Sequence, residues 1–85
     1  MIIIYIEEDQ AAVMNRMGTL KKSFFPATIS RMEHRKISLI SGLKFYVIKK
    51  DEVDRIRGLQ PLAVFVNCYL DLQDRAGIES MVRKT

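Results

Sequence analysis

Basic side chains recur between residues 31 and 57, with a histidine and a tyrosine among them. The ten residues are Arg31, His34, Arg35, Lys36, Lys44, Tyr46, Lys49, Lys50, Arg55 and Arg57. Lysine and arginine neutralise phosphates, and an aromatic ring can stack on an unpaired base. The pattern predicts a surface that binds RNA or single-stranded DNA.

The charge is unevenly distributed along the chain. Residues 10–50 contain nine Lys and Arg against the single acid Glu33, or +8, whereas the whole chain carries +4. Such a basic middle suits a polyanion or an acidic protein, and the plain alternative is that these cations only solvate a small domain. The sequence shows no recognised nucleic-acid fold signature, so sequence-specific reading is not implied.

Residues that could support catalysis or bind a metal are isolated in the sequence. His34 has no second histidine or cysteine at metal-ligand spacing, and Cys68 is the single cysteine. A Cys68 nucleophile with His34 as its base has no motif behind it, and a small buried thiol is the commoner case. The acidic cluster 7–9 follows a strand, but helix-start electrostatics accounts for it. We therefore expect no enzyme, catalytic residue, metal or cofactor.

The length and composition predict one small domain over residues 1–85. A single cysteine leaves no internal disulfide, which favours the reducing interior of a cell and predicts a cytoplasmic location. The N-terminal apolar run spans six residues before Glu7, which is too short for a signal peptide or a membrane span. No membrane partner is expected.

Two continuous apolar runs, Met1–Ile6 and Leu62–Cys68, predict interior strands that lie side by side and parallel. Aspartate at Val64 or Phe65 would then prevent folding, because a buried unpaired carboxylate costs several kcal/mol.

A helix is predicted to begin after Asp9 and to end before Pro26, with an apolar stripe on one face. The stripe is formed by Val13, Met17, Leu20 and Phe24. Gly18 weakens such a helix by roughly 1 kcal/mol, and we expect close packing at this position to be the reason.

The region 35–50 predicts a β-hairpin that turns at Ser41-Gly42 and lies toward a sheet edge. An uncovered edge also allows a homodimer. Asp51 begins a short helical turn that Gly58 stops, and a last short helix follows Asp71. The predicted order is β-α-β-β-α-β-α: an α/β fold, with α+β as the alternative, around a mixed sheet of about four strands.

The stretch DRIRGLQP precedes the second apolar run. It resembles the ATPase core of phage large terminases and of related helicase-like P-loop enzymes, and the similarity extends over roughly residues 1–70. It rests on Asp54, Arg55, Ile56, Arg57, Gly58, Leu59 and Pro61. In that family the phrase leads into the strand whose end carries the Walker B acids.

The chain departs from that family at both nucleotide-binding motifs. It contains no G-x-x-x-x-G-K-[ST] sequence, and Asn67 and Cys68 stand where the family has an Asp-Glu pair. We therefore expect neither ATP binding nor hydrolysis. The resemblance implies a phage-type protein that kept the scaffold without the active site.

These expectations combine into a small non-enzymatic phage-type accessory or inhibitor protein that binds RNA or single-stranded DNA through its basic hairpin. The alternative is a protein-interaction module that docks on and inhibits an acidic host protein, for instance a defence or nucleic-acid-handling protein. A degenerate ATPase-like relative of packaging or helicase enzymes is a further alternative.

Overall fold

The computed structural model describes residues 1–56 and 58–81, apart from the side chains of residues 54 and 81. In this part of the chain the elements are β1 (Ile2–Glu7), α1 (Gln10–Ser23), a 3₁₀ turn (Pro26–Thr28), β2 (Ile29–Glu33), β3 (Lys36–Leu39), β4 (Lys44–Lys49), a longer 3₁₀ helix (Lys50–Ile56), β5 (Ala63–Val66) and α2 (Leu72–Met81). Within residues 1–56 and 58–81, no helix has the length and apolar character needed to cross a membrane.

The five strands form one mixed sheet in the order β2-β3-β4-β1-β5. β1 runs parallel to both of its neighbours, so that Ile4 stands opposite Tyr46 of β4 and Val64 of β5. β2, β3 and β4 form an antiparallel meander. The predicted α/β class and the parallel pairing of the two apolar runs are confirmed. The sheet has five strands rather than four, because the segment at Ile29 pairs with β3 as an additional strand.

Helix α1 covers one side of the sheet. The Asp9 side chain accepts a hydrogen bond from the Ala12 amide at 2.9 Å, and the helix ends at Ser23 before Pro26, as predicted. Val13, Met17 and Leu20 are buried in a first core cluster, which also contains Ile37, Leu39, Phe45 and Val47. The apolar stripe of α1, which repeats about every 3.6 residues, thus packs on alternate residues of β3 and β4, which point to the same side of the sheet.

The predicted close packing at Gly18 is wrong. Beyond the backbone of the helix itself, no heavy atom lies within 4 Å of the position that a β-carbon on Gly18 would take. The glycine borders open space, so packing does not explain its presence in a helix.

The opposite side of the sheet is covered at β1 and the adjoining strand ends. Ile4, Ile6 and Ile48 form a second core cluster, together with Ile56 of the 3₁₀ helix and with Leu70 and Ile78 near and in α2. Gly58 has a φ of 88°, a backbone conformation in which glycine is favoured, and it follows the 3₁₀ helix as predicted.

Two predicted positions in the sheet need correction. β5 lies at an edge rather than in the interior, and Phe65 is 48% exposed. Its strand is nevertheless apolar, because Val64 and Val66 pack in the second cluster while the Phe65 ring stacks on Tyr5, 5.1 Å between ring centroids. The hairpin of β3 and β4 forms as predicted with Gly42 in its turn, but β2 lies outside it and takes the edge.

Candidate functional site

Residues of β2, β3 and β4 that point away from α1 form a polar surface, here called the open face. Directly paired residues of adjacent strands project to the same side of a sheet. Between β2 and β3, Arg31 pairs with Ser38 and Glu33 pairs with Lys36. Between β3 and β4, Lys36 pairs with Tyr46 and Ser38 pairs with Lys44. The open face comprises Arg31, Glu33, Lys36, Ser38, Lys44 and Tyr46.

The open face is accessible to solvent. Arg31, Glu33 and Lys44 are exposed, while Lys36, Ser38 and Tyr46 are half-buried. The buried residues of β3, Ile37 and Leu39, belong to the cluster under α1 on the other side. Polar residues therefore alternate with core residues along the strands, which is the pattern of a sheet with one solvated side.

Charge on the open face is positive. Three cationic side chains stand against one carboxylate, with Arg31 Nε 2.8 Å from Glu33 Oε1 in an exposed pair. The Lys36 ammonium lies 5.4 Å from the centroid of the Tyr46 ring, a cation–π arrangement. Lys44 forms no ion pair with any residue in the described ranges. Lys36 is aligned with Glu33 across the strands, but within the described residues neither Lys36 nor Lys44 forms an ion pair.

A second group of the predicted residues lies at the edge of the sheet where the parallel strands β1 and β4 end. This edge is here called the carboxyl edge. The chain leaves β1 toward α1 on one side of the sheet and leaves β4 toward the 3₁₀ helix on the other. Crevices at such divergent strand ends often bind ligands in α/β proteins. In this protein the charges at that place pair with one another.

Glu52 is the centre of this pairing. Its buried carboxylate pairs with Arg35 and with Arg55, whose Nη1 is 3.0 Å from Glu52 Oε2, and it accepts a hydrogen bond from the Lys49 amide at 3.1 Å. Burial raises the pKa of Glu52, but these hydrogen bonds and the two guanidinium charges outweigh it, so the pKa lies below its ordinary value. Arg35 and Arg55 are therefore engaged by a structural carboxylate.

The two lysines of the carboxyl edge, Lys49 and Lys50, also have acidic neighbours. The Lys50 ammonium pairs with Glu8, and this hydrogen bond and charge raise the pKa of Lys50. Lys49 is aligned with Glu7 across the strands. Glu7 is buried and accepts a hydrogen bond from Arg16 Nε at 2.8 Å. Three cations of the carboxyl edge, Arg35, Lys50 and Arg55, are thus paired with carboxylates.

The structure divides the ten predicted residues into two main groups. The open face holds Arg31, Lys36, Lys44 and Tyr46; the carboxyl edge holds Arg35, Lys49, Lys50 and Arg55; His34 is exposed in the β2–β3 turn. Arg57 lies outside the described residues. The sequence analysis did not include Ser38 and Glu33, which also lie on the open face. Glu33 is two residues after Arg31, and this spacing in a strand places the two side chains on the same side.

The arrangement of His34 and Cys68 does not support nucleophilic catalysis. His34 is in the turn after β2 and Cys68 follows β5, at opposite edges of a five-stranded sheet. Strand spacing of about 4.8 Å separates them by roughly 15–20 Å, too far for proton transfer. Burial, aided by Glu8, raises the pKa of the Cys68 thiol and disfavours the thiolate. No group of three metal-ligating side chains is arranged for an ion within residues 1–56 and 58–81.

Comparisons with known proteins add no relative. No protein-family model matches the chain, and neither the curated proteins nor the solved structures include a match.

Proposed function

We propose that this protein binds single-stranded RNA or DNA on the open face of β2, β3 and β4. The observation that supports this function is the presence of Arg31, Lys36, Lys44 and Tyr46 on the same side of β2, β3 and β4, beyond the part of that side that the second core cluster covers. Three cations on neighbouring strands can contact successive phosphates, and a sheet surface leaves room for unpaired bases to lie flat.

Tyr46 supplies the stacking surface in this proposal. Its ring is half-buried against the second core cluster and carries the Lys36 ammonium. A base that stacks on the ring takes the place of this ammonium, and Lys36 turns to a phosphate. The ring then contributes about 1–3 kcal/mol of binding free energy, in addition to the charge term.

The binding is expected to be insensitive to sequence. Ser38 and the hydroxyl of Tyr46 are the neutral hydrogen-bonding groups among the six side chains of the open face, which is few for reading base edges. Phosphate contacts position a strand without reading it, whereas base edges must be hydrogen-bonded for sequence to be distinguished. We expect oligo-uridine and oligo-cytidine, whose bases differ in their hydrogen-bonding edges, to bind with similar affinity.

The proposal is tested by fluorescence anisotropy with labelled oligo-uridine at low salt. The Lys36→Gln, Lys44→Gln double variant should weaken binding at least tenfold. The matched control is Lys21→Gln, Lys22→Gln, which removes the same charge from α1 on the other side of the sheet. Equal weakening by both double variants would mean that net charge alone attracts the RNA, and the proposed site would be abandoned.

A further inference from the structure

A groove lies between the last turns of α1 and the start of β2, on the side of the sheet opposite to the open face. We call it the α1 groove. It encloses about 420 Å³ and is lined by Gly18, Lys21, Lys22, Phe24, Pro26 and Ile29. That volume falls within the range of sites that bind small groups in proteins, roughly 300–1,000 Å³.

Gly18 lines the α1 groove. Beyond the backbone of the helix, no heavy atom lies within 4 Å of the position that a β-carbon on Gly18 would take. A longer side chain at this position therefore has room to extend into the groove. Glycine is less favourable than alanine inside a helix, so such a side chain does not weaken α1.

Apolar side chains near the α1 groove are exposed. Phe25 is 81% exposed and Met32, which shares the α1 side of the sheet with Ile37, is 44% exposed. Ile40, which is 69% exposed, lies close by, since its amide donates to the Thr28 carbonyl at 2.9 Å. Large apolar side chains are thus exposed along the chain segments that border the α1 groove, and exposed apolar surface of this kind is typical of sites that contact another molecule.

Positive charge accompanies this apolar surface. Lys21 and Lys22 are exposed in the last turn of α1, and neither forms an ion pair with any residue within 1–56 and 58–81. This charge complements an acidic partner, and the apolar side chains of Phe24, Pro26 and Ile29 in the groove favour an aliphatic group on the same partner.

Strand β2 provides an open sheet edge next to the α1 groove. It pairs with β3 on one side and is the terminal strand of the sheet. The register shifts between Ile29 and Arg31, so the ladder is regular from Arg31 to Glu33. An extended peptide can pair with that short stretch, and contacts in the α1 groove supply the rest of the binding.

From these features we infer that the α1 groove binds an acidic peptide segment of a protein partner, which lies along β2 and inserts one aliphatic side chain beside Gly18. The α1 groove and the open face lie on opposite sides of the sheet, and the two proposed sites meet at β2, whose residues Arg31 to Glu33 border both.

The test uses a fluorescent synthetic peptide of about seven residues, the length of an ordinary strand. It has one central Leu flanked by Glu and Thr, and a second peptide has Lys in place of each Glu. The acidic peptide should bind at least tenfold more tightly than the basic one, and its binding should shift the NMR signals of Lys21, Ile29 and Met32. Equal binding of the two peptides, or no shift at these residues, would overturn the inference.

Two variants locate the binding. Gly18→Gln should strengthen the helix and weaken peptide binding at least tenfold, because the new side chain fills the groove. The matched control is Gly77→Gln in α2, another helical glycine that borders open space; it should leave peptide binding unchanged.

The double variant Lys21→Gln, Lys22→Gln tests the charge without altering the groove. It should weaken binding of the acidic peptide and leave oligo-uridine binding unchanged. Unaltered peptide affinity in either this variant or a folded Gly18→Gln variant would overturn the inference. So would the finding that the parent chain forms a dimer that Gly18→Gln dissociates, since a second copy would then be the occupant.

Discussion

The Arg35 guanidinium pairs with the buried Glu52 carboxylate and so joins the β2–β3 turn to the 3₁₀ helix. Arg35 also donates to Gln10 Oε1 at 3.1 Å, which links the same side chain to the start of α1. One residue therefore holds together three segments that are distant in sequence. This relationship gives Arg35 a structural role that its neighbour Lys36 does not have.

Removing the carboxylate should reveal that role. We expect Glu52→Gln to lower the free energy of unfolding by about 2 kcal/mol, because Arg35 is then left largely buried without its counter-charge. Urea denaturation measures the loss. The control is Glu8→Gln, which removes the partner of exposed Lys50 and should have much less effect. Equal losses in the two variants would contradict the structural role.

The stability contributed by Glu52 should depend on pH. Because the pKa of Glu52 is lower in the folded chain than its ordinary value of 4.5, the folded state binds fewer protons than the unfolded state below that value. The contribution is complete above the unfolded pKa and is lost as pH falls through the folded pKa. The difference in stability between parent and Glu52→Gln should be constant from about pH 6 to 8 and shrink below about pH 4.5. A difference that grows on acidification would refute the assignment.

Adjacent residues Arg35 and Lys36 should separate in their effects. Lys36→Gln should reduce the magnitude of the slope of log affinity against log salt by about 0.7, one phosphate contact, with little change in stability. Arg35→Gln should lower stability and leave that slope nearly unchanged. Oligo-uridine titrations at several salt concentrations, paired with urea denaturation, check both statements. If Arg35→Gln alters the slope as much as Lys36→Gln does, the division between open face and carboxyl edge is wrong.

The structure changes the expected effect of aspartate at Phe65 on folding. The continuous apolar run predicted that aspartate would prevent folding at this position, but the 48% exposed ring lies on an edge strand. We expect Phe65→Asp to fold, whereas Ile4→Asp in the central strand should not, because an unpaired buried carboxylate costs several kcal/mol against a total of about 5–15 kcal/mol. Circular dichroism and cooperative unfolding distinguish them. A cooperatively folded Ile4→Asp variant would contradict the described core.

Sequence patterns predicted those parts of the fold that local chemistry determines. The Asp9 cap, the apolar stripe of α1 and the turn at Gly42 each follow from a few neighbouring residues. The order of strands does not, because the apolar run of β5 reads the same in the interior and at an edge that stacks on Tyr5. The four predicted strands do not include β2, because all its residues after Ile29 are exposed and the alternation of apolar and polar residues that marks a half-buried strand is missing.

The candidate site shows the same limit. Composition identified the basic residues, but the division of Arg35 from Lys36 depends on Glu52, which lies 17 positions after Arg35 in the chain. Long-range ion pairs of this kind leave no local pattern. The two-residue period of strands does explain why Lys36 and Ser38 share a side, once the register with Tyr46 and Lys44 is known.

The central claim is that unpaired bases lie on the open face, and the ring protons of Tyr46 test it most directly. Tyr5 provides an internal control, since its ring lies on the α1 side of the sheet, beside Phe45 and Arg16. On titration with oligo-uridine, a stacked base should shift the Tyr46 ring signals and leave those of Tyr5 in place. Unmoved Tyr46 signals at saturating oligo-uridine, or equal movement of both rings, would contradict the account.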